Sequence, residues 1–364
     1  MIQDHGEVVL QMEKSHMETA VDNIRSLFPS LDAIILYGGY AQGEGSWVHY
    51  PDGRWGPYND YDFLVVTDGF ASPSKIDSLR MDLATKLGIR WIDITVCRQK
   101  ELAGFSPTIR NYDIKNGGKV LFGSPEILNQ IPQIDPSRFS LEEVLTLFHT
   151  RLYTFLGSLN ESGLDQVLTE EASRFFRNQM AKAVLSASDA WLLLHGRYYS
   201  LYQERLRRVL SLHVYSPEES ELATWALEEK LLPKAPTMNP SDVKELYFSV
   251  KALFDRAMVT VLSSYFKKPI SSAAELSRAY QYHWRTIAKR ILFPFVKRSF
   301  RFERRYLVHL AQIHIWGASL PGGERDQSNL DRGVTLLRKL DSSFPTNADW
   351  DSARCRVAKL RMTL

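Results

Sequence analysis

Asp60 and Asp62 stand either side of one tyrosine at the head of the apolar run Phe63-Leu64-Val65-Val66. Upstream, a second apolar run, Ile34-Ile35-Leu36-Tyr37, stops at Gly38-Gly39. Side chains alternate faces along a strand, so the two aspartates point to one side, about 7 Å apart. Two carboxylates so spaced, facing a glycine turn, can hold divalent cations beside a polyphosphate. A third carboxylate, Asp93, falls in IRWIDITVC (89–97), where Trp91, Asp93 and Thr95 alternate with Ile92, Ile94 and Val96. A carboxylate in mid-strand needs a reason, because an unpaired buried charge is expensive. Carboxylates of this kind bind Mg²⁺ and leave its other positions to water and substrate phosphates. Two such ions stabilise the attacking and leaving oxygens of an in-line displacement, and the chemistry that needs this set is phosphoryl or nucleotidyl transfer.

The elements that must position these residues are legible from periodicity. Strands are expected at about 32–37, 60–67, 89–97 and 119–122. Helical spacing runs over 7–28 and ends before Pro29. A second helix follows Ser72 and Pro73 and stops at Gly88, with the cap, first-turn proline and terminal glycine in their preferred places. Residues 99–104 read as a short helix, and Gly117-Gly118 punctuates before the fourth strand. From about 138 the pattern becomes helical, over 140–158, 167–195, 201–213, 217–231, 240–266 and 271–295. The expected fold class is α+β: a small mixed sheet with flanking helices, followed by an all-helical region. The expected domains are 1–132, carrying the sheet and carboxylates, a helical bundle at 138–270 and a basic helical extension at 271–364.

A chain of 364 residues with 44% hydrophobic and 24% charged residues suits a globular protein of two or three domains. Its two cysteines, Cys97 and Cys355, offer neither metal-ligand spacing nor a disulfide framework. The first residues lack the basic start and apolar core of a signal peptide, and no apolar stretch is long enough to span a membrane. A cytoplasmic protein with no membrane partner is therefore expected. The net charge of +3 is uneven: residues 271–364 hold 17 Lys and Arg against 8 Asp and Glu, most densely from Arg278 to Arg305. Such a region either meets phosphates, nucleic acid or an acidic neighbour, or is a solvated helix face.

Taken in order, Tyr37-Gly38-Gly39, Asp60-Tyr61-Asp62 and Asp93 resemble the pattern of the DNA polymerase β-like nucleotidyltransferases. That pattern is a hydrophobic residue, Gly, then Gly or Ser, a later Asp-x-Asp, and a third acidic residue on another strand. The run Gly38-Gly39-Tyr40-Ala41-Gln42-Gly43-Glu44-Gly45 is similar to the GSxARGEA-like run of small bacterial members, such as the aminoglycoside-modifying and antitoxin-type ones. The resemblance covers roughly residues 30–125, and a helical C-terminal domain is usual in these proteins. It implies that Asp60 and Asp62 ligate both the nucleotide-bound and the catalytic metal. It also implies that Asp93 completes the catalytic-metal site and helps to activate the acceptor hydroxyl, and that Gly38, Gly39, Tyr40 and Gln42 form the nucleotide-binding turn. The implied cofactor is Mg²⁺ or Mn²⁺, with an NTP as co-substrate and pyrophosphate released. Two departures stand out: Gln42 occupies a position usually held by Arg or Lys, and Gly39 replaces a frequent Ser.

Several features stay open at this level. Trp47, His49, Tyr50, Trp55 and Tyr58, in the long loop from Gly43 to Asn59, either stack on a base or sugar or pack over the sheet edge. Glu44 either bonds to loop backbone or acts in chemistry, and Arg110 and Lys115 either reach phosphates or are solvated. Lys182 and Asp189 share one helix face and either line a cleft or pair with neighbouring helices. Tyr198, Tyr199 and Tyr202 read as packing, and His283-Trp284-Arg285 with Lys289-Arg290 has the texture of a nucleic-acid contact. Three functions fit. The first is a metal-dependent transferase acting on a hydroxyl or phosphate acceptor. The others are a nucleic-acid-directed tailing enzyme of the same fold and a non-catalytic, antitoxin-like binding module. Neither the acceptor nor the preferred NTP is named by these residues.

Overall fold

The computed structural model describes residues 2–283, 299–320 and 324–362. The chain falls into two compact units. The first comprises residues 1–140, 195–213 and 227–234, and the second comprises 141–194, 214–226 and 235–364. A small sheet before residue 141 and, among the described residues, helices after it make this an α+β protein.

The first unit is built on a four-stranded mixed sheet of order β5-β4-β1-β6, where β1 is Leu31–Tyr37, β4 Tyr61–Thr67, β5 Ile92–Cys97 and β6 Lys119–Phe122. β1 runs antiparallel to both β4 and β6, whereas β4 and β5 are parallel. A parallel pair needs a crossover, and helix α2 (Pro73–Lys86) supplies it, capped by Ser72 and ended by Gly88 in a left-handed conformation (φ +61°). Alternation sorts the apolar side chains into two layers. Tyr61, Phe63, Val65, Ile92 and Ile94 face helix α1 (Ile2–Leu27) and α2, and bury with Ala20, Ile24, Leu79 and Leu83. Leu64, Val66, Ile35 and Tyr37 lie on the other face with Leu102, Ile114 and Ile127.

Two elements depart from the expectation. The stretch leading to the Gly117-Gly118 punctuation, for which no element is expected, forms helix α4 (Ile109–Gly117), with α3 being the four-residue Gln99–Leu102. Thr108 caps α4 by accepting from the Asn111 N–H at 3.2 Å, so a capping threonine outweighs weak apolar periodicity. The loop from Gly43 to Asn59 contains a two-stranded hairpin, β2 (Trp47–His49) paired with β3 (Trp55–Pro57). Its aromatics pack: Trp47 lies edge-on to Tyr40 with ring centres 5.6 Å apart, and His49 sits 4.9 Å from Trp55.

Among its described residues the second unit is built of helices, with α5 (Leu141–Leu156), α6 (Glu170–Leu194), α9 (Pro240–Phe266), α10 (Ala273–Tyr282), α11 (Ser299–Gly317), α12 (Gln327–Leu340) and α13 (Trp350–Met362). Between α6 and α9 come α7 (Tyr202–Leu210), which belongs to the first unit, and α8 (Pro217–Leu231), which is divided between the two. The expected helix over 271–295 is seen as α10; its remainder, with Trp284, Arg285, Lys289 and Arg290, lies outside the described residues. The core of this unit is aromatic, with Phe155 4.6 Å from Trp316 and Phe148 4.8 Å from Phe254. Among the described residues no helix is long and apolar enough to cross a membrane.

Also in this core, His149 and His309 stack face to face with ring centres 3.8 Å apart. Burial, then the nearby Arg361 charge, pushes His149 down to about 3. His309 is likewise driven well below its ordinary value, by burial first and then by His149. A histidine held neutral in the fold but free to protonate when unfolded lets the unfolded state bind more protons as pH falls. Stability from this pair is complete above about pH 6.5 and drains away as the pH drops through that value toward the depressed one. Urea midpoints are therefore expected to fall from pH 7 to about pH 5, before most carboxylates titrate, and His149→Phe is expected to flatten that slope. An unchanged slope in the variant would remove the pair as its cause.

Candidate active site

β1 ends at Tyr37, and the next residue takes a conformation few side chains allow. Gly38 has φ +76°, and a Cβ placed on it would lie 2.9 Å from Asp62 Oδ2. The turn therefore fits against the carboxylate only because position 38 has no side chain. Gly39 starts a single 3₁₀ turn, Tyr40–Gln42, that ends at Gly43. The Glu44 N–H closes it onto the Gly39 carbonyl at 2.8 Å.

The sheet register aligns the acidic residues. Tyr37 of β1 is opposite Asp62 of β4, and Asp62 is opposite Asp93 of β5. Both aspartates lie on the face of Tyr37, Leu64 and Val66, by alternation with the residues buried under α1 and α2. Neighbouring strands are about 4.8 Å apart, so the two carboxylates lie side by side at the end of the glycine turn. The Tyr37 phenol feels them: burial first, then Asp62 and Asp93, hold its proton on, against the pull of a Thr95 hydrogen bond and Arg110. Asp93 has a cationic neighbour in Arg80, whose Nη2 is 3.5 Å from Asp93 Oδ1 and donates to the Ile94 carbonyl at 2.5 Å. Asp60 sits one residue before β4 and is exposed. Among the described residues no three His, Cys, Asp or Glu side chains converge on a common metal position. The structure thus brings Asp62 and Asp93 together and leaves Asp60 at the strand entrance.

The other expected residues are placed as follows. The Tyr40 side chain is core: it is 4% exposed, donates to the Ser46 carbonyl at 2.6 Å and packs with its ring tilted against that of Tyr61, centres 4.4 Å apart. Only its backbone remains to meet a ligand. The Gln42 side chain covers Gly117 at the end of α4. Lys115 donates to the Leu128 carbonyl at 2.8 Å, while Arg110 stands near the Tyr37 phenol.

Sequence reading missed the brace beneath the turn. Glu44 is buried, and its carboxylate accepts the N–H groups of Tyr202 (2.6 Å) and Gln203 (3.0 Å), the first residues of α7. Glu44 thus caps a helix N-terminus, where negative charge meets the positive end of the dipole. Lys230, in the last turn of α8, is 6% exposed and donates from Nζ to the Glu44 carbonyl. A Cβ on Gly39 would be 2.7 Å from that ammonium. The Ser46 hydroxyl returns to the Lys230 carbonyl at 2.5 Å, and the ammonium lies 4.5 Å over the Tyr202 ring. The cation absent at position 42 is supplied to the turn by a residue 186 positions from Glu44. α7 is held in turn by Arg205, which pairs with Asp113 of α4 at 3.3 Å and lies 4.4 Å over both Tyr198 and Tyr202. No local pattern marks Lys230 or Arg205; only the fold brings them in.

These contacts give the first prediction about the site. Gly38→Ala is expected to lower stability by about 1–2 kcal/mol through its left-handed backbone and to displace the Asp62 carboxylate as well. A fall in urea midpoint together with loss of any Mg²⁺-induced thermal shift would show both effects. A stable variant with an unchanged shift would refute the crowding.

The fold and this site define an α+β protein whose sheet carries a carboxylate pair beside a buried-lysine glycine turn. No protein-family model matches the chain, and no curated protein matches it. Among solved structures, a crystal structure of a toxin–antitoxin with AMP-PNP is similar at 19% identity and a TM-score of 0.23, over 31% of this chain and 77% of that one. A mutant of the toxin–antitoxin MntA–HpeT is similar at 18% identity and a TM-score of 0.22, with the same coverages. Likeness at that level reaches under a third of the chain and adds nothing to the reading of the site.

Proposed function

We propose that this protein is a nucleotidyltransferase that moves a nucleoside monophosphate from an NTP to a hydroxyl or phosphate acceptor, releasing pyrophosphate. The observation that carries this reading is the register of Asp62 against Asp93, at the mouth of a turn whose Gly38 leaves room for an Asp62 oxygen. The donor set fits a hard divalent cation: two adjacent carboxylates, with water and phosphate oxygens left to complete the shell. Asp62 and Asp93 would hold Mg²⁺, or Mn²⁺, with Asp60 joining from the strand entrance. Such ions, when bound, stabilise charge on the attacking and leaving oxygens of an in-line displacement.

The chain's own residues do the rest. The backbone N–H groups of the turn at Gly38-Gly39 receive phosphate oxygens, and the buried Lys230 ammonium places positive charge behind them. Asp93, one oxygen steadied by Arg80, takes the proton of an acceptor hydroxyl. The acceptor oxygen then bonds to the α-phosphorus as the bond to pyrophosphate breaks. Glu44 keeps the turn in shape by tying it to α7.

Binding tests this reading without knowledge of the acceptor. One of the four NTPs with Mg²⁺ is expected to raise the melting temperature, as a ligand that binds only the folded state must, and EDTA is expected to remove the effect. No shift with any NTP at millimolar concentration would overturn it.

A further inference from the structure

A cavity of about 820 Å³ opens beside the aromatic hairpin of the first unit, and the glycine turn and its carboxylates take no part in its lining. Its volume falls within the roughly 300–1,000 Å³ of small-molecule sites. Strand pairing explains one wall. His49 is opposite Trp55 and Trp47 opposite Pro57, so these four side chains share one face of the hairpin. Trp47 ends in the core against Tyr40. His49 and Trp55 line the cavity instead, with Tyr50, whose ring is so close to Gly56 that a Cβ there would be 3.0 Å from it.

Helical spacing explains the other wall. Val8, Met12 and His16 recur every fourth residue and form one stripe on α1. Leu87 and Gly88, at the end of α2, add to the lining. At Gly53 and Gly88 a Cβ would meet nothing within 4 Å, so the chain leaves room at both.

His16 supplies the polar contact. Its Nδ1 is 3.1 Å from the Tyr61 hydroxyl. Tyr61 is fully buried, and burial holds its proton on. Were the imidazole the donor, that phenolic hydrogen would be buried without an acceptor, which is costly. Tyr61 therefore donates, Nδ1 accepts, and the ring hydrogen sits on Nε2. Burial also pushes His16 below its ordinary value, so the ring is neutral at pH 7.5. Among the described residues Nε2 has no partner, and unlike the nitrogens of His149 it is not sealed from solvent. It is one uncharged donor on an otherwise apolar stripe.

Nothing here selects a charged ligand. Arg54 Nε donates to Asp52 at 2.7 Å, and Lys86 Nζ donates to the Asn23 amide oxygen at 2.6 Å. Among the described residues no carboxylate lines the cavity. Flat rings stack well on Trp and Tyr faces, and thioethers pack well against aromatic rings.

We propose that this cavity binds an uncharged, planar heteroaromatic molecule of one or two fused rings. Its faces lie between the Tyr50–Trp55 wall and the Val8–Met12 stripe, and a ring acceptor takes the hydrogen of His16 Nε2. The site is separate from the glycine turn, and its test uses no NTP.

The probe is quinoline, neutral at pH 7.5 and carrying a ring acceptor; indole, of similar size, carries a ring donor and no acceptor. In the full chain, diethyl pyrocarbonate should acylate His16 at pH 7.5, with the exposed His213 as internal reference, each read on its peptide by mass spectrometry. Quinoline at ten times its dissociation constant should slow His16 acylation about tenfold and leave His213 unchanged. Indole should bind about fivefold more weakly, the loss expected for one hydrogen bond. Val8→Trp, at a position 48% exposed, should fill the space and abolish the saturable quinoline binding seen by ligand-detected NMR. His16→Phe, made together with Tyr61→Phe so that no hydroxyl is left unpaired, should bring quinoline down to the level of indole. The proposal is overturned if His16 resists acylation in the free chain, or if quinoline gives no saturable protection by about 1 mM. It is equally overturned if indole protects as well as quinoline, or if both variants bind quinoline as the parent does.

Discussion

Asp62→Asn and Asp93→Asn are each expected to cut pyrophosphate release by about 10³-fold while the protein stays folded. Each substitution keeps the size of the side chain and removes the charge that would hold a cation. Cation stabilisation of the transferring phosphate is worth several kcal/mol, and every 1.36 kcal/mol is tenfold in rate. The fold should survive, because Asp62 and Asp93 face each other in register, and relieving the repulsion between like charges on neighbouring strands offsets part of any loss. The measurement is pyrophosphate release from the NTP that stabilises the protein, alongside urea midpoints for each variant. Turnover within a few-fold of the parent in either variant would remove the pair from the chemistry. Asp60→Asn, made in parallel, reports whether the carboxylate at the strand entrance belongs to the same site.

Lys230→Met is expected to weaken NTP binding about tenfold and to change stability much less. The ammonium is buried beside Gly39 and donates to the Glu44 carbonyl. Removing it takes positive charge from behind the phosphate-facing N–H groups, and a hydrogen bond to a charged group is worth about 1.5–3 kcal/mol. Part of that is returned, because desolvating an isolated ammonium is itself costly. The readout is the NTP concentration needed for half the maximal rise in melting temperature. An unchanged concentration would mean that Lys230 serves only to hold the loop.

The two predictions differ in how visible their residues are in the sequence. Asp62 and Asp93 announce themselves because strand alternation is a local rule and because Gly38-Gly39 ends an apolar run nearby. Helices whose ends carry strong chemistry were equally readable. α9 begins at Pro240 behind Asn239, whose side chain accepts from the Ser241 and Asp242 N–H groups at 2.9 and 3.1 Å, and the expected span of 240–266 is the one observed. Helix α4 escaped notice because Asn111, Asn116 and Gly117 dilute its apolar period, leaving the Thr108 cap as its one clear signal. The aromatic hairpin at 47–57 was hidden by its short strands. Lys230 and Arg205 were illegible for a different reason. Their partners, Glu44 and Asp113, are 186 and 92 positions away, and no periodicity reports a contact made only by the folded chain.

That separation has a consequence for synthesis. The glycine turn and its carboxylates leave the ribosome early, but the lysine that completes the turn is 186 residues behind Glu44. Most of the helical stretch between them, including all of α6, must emerge before the first unit can close. A nascent chain, or a fragment ending near residue 132, therefore carries the acidic residues with an unbraced loop. On the proposed function, the arrival of α8 would switch on nucleotide affinity as a late event in the making of the protein.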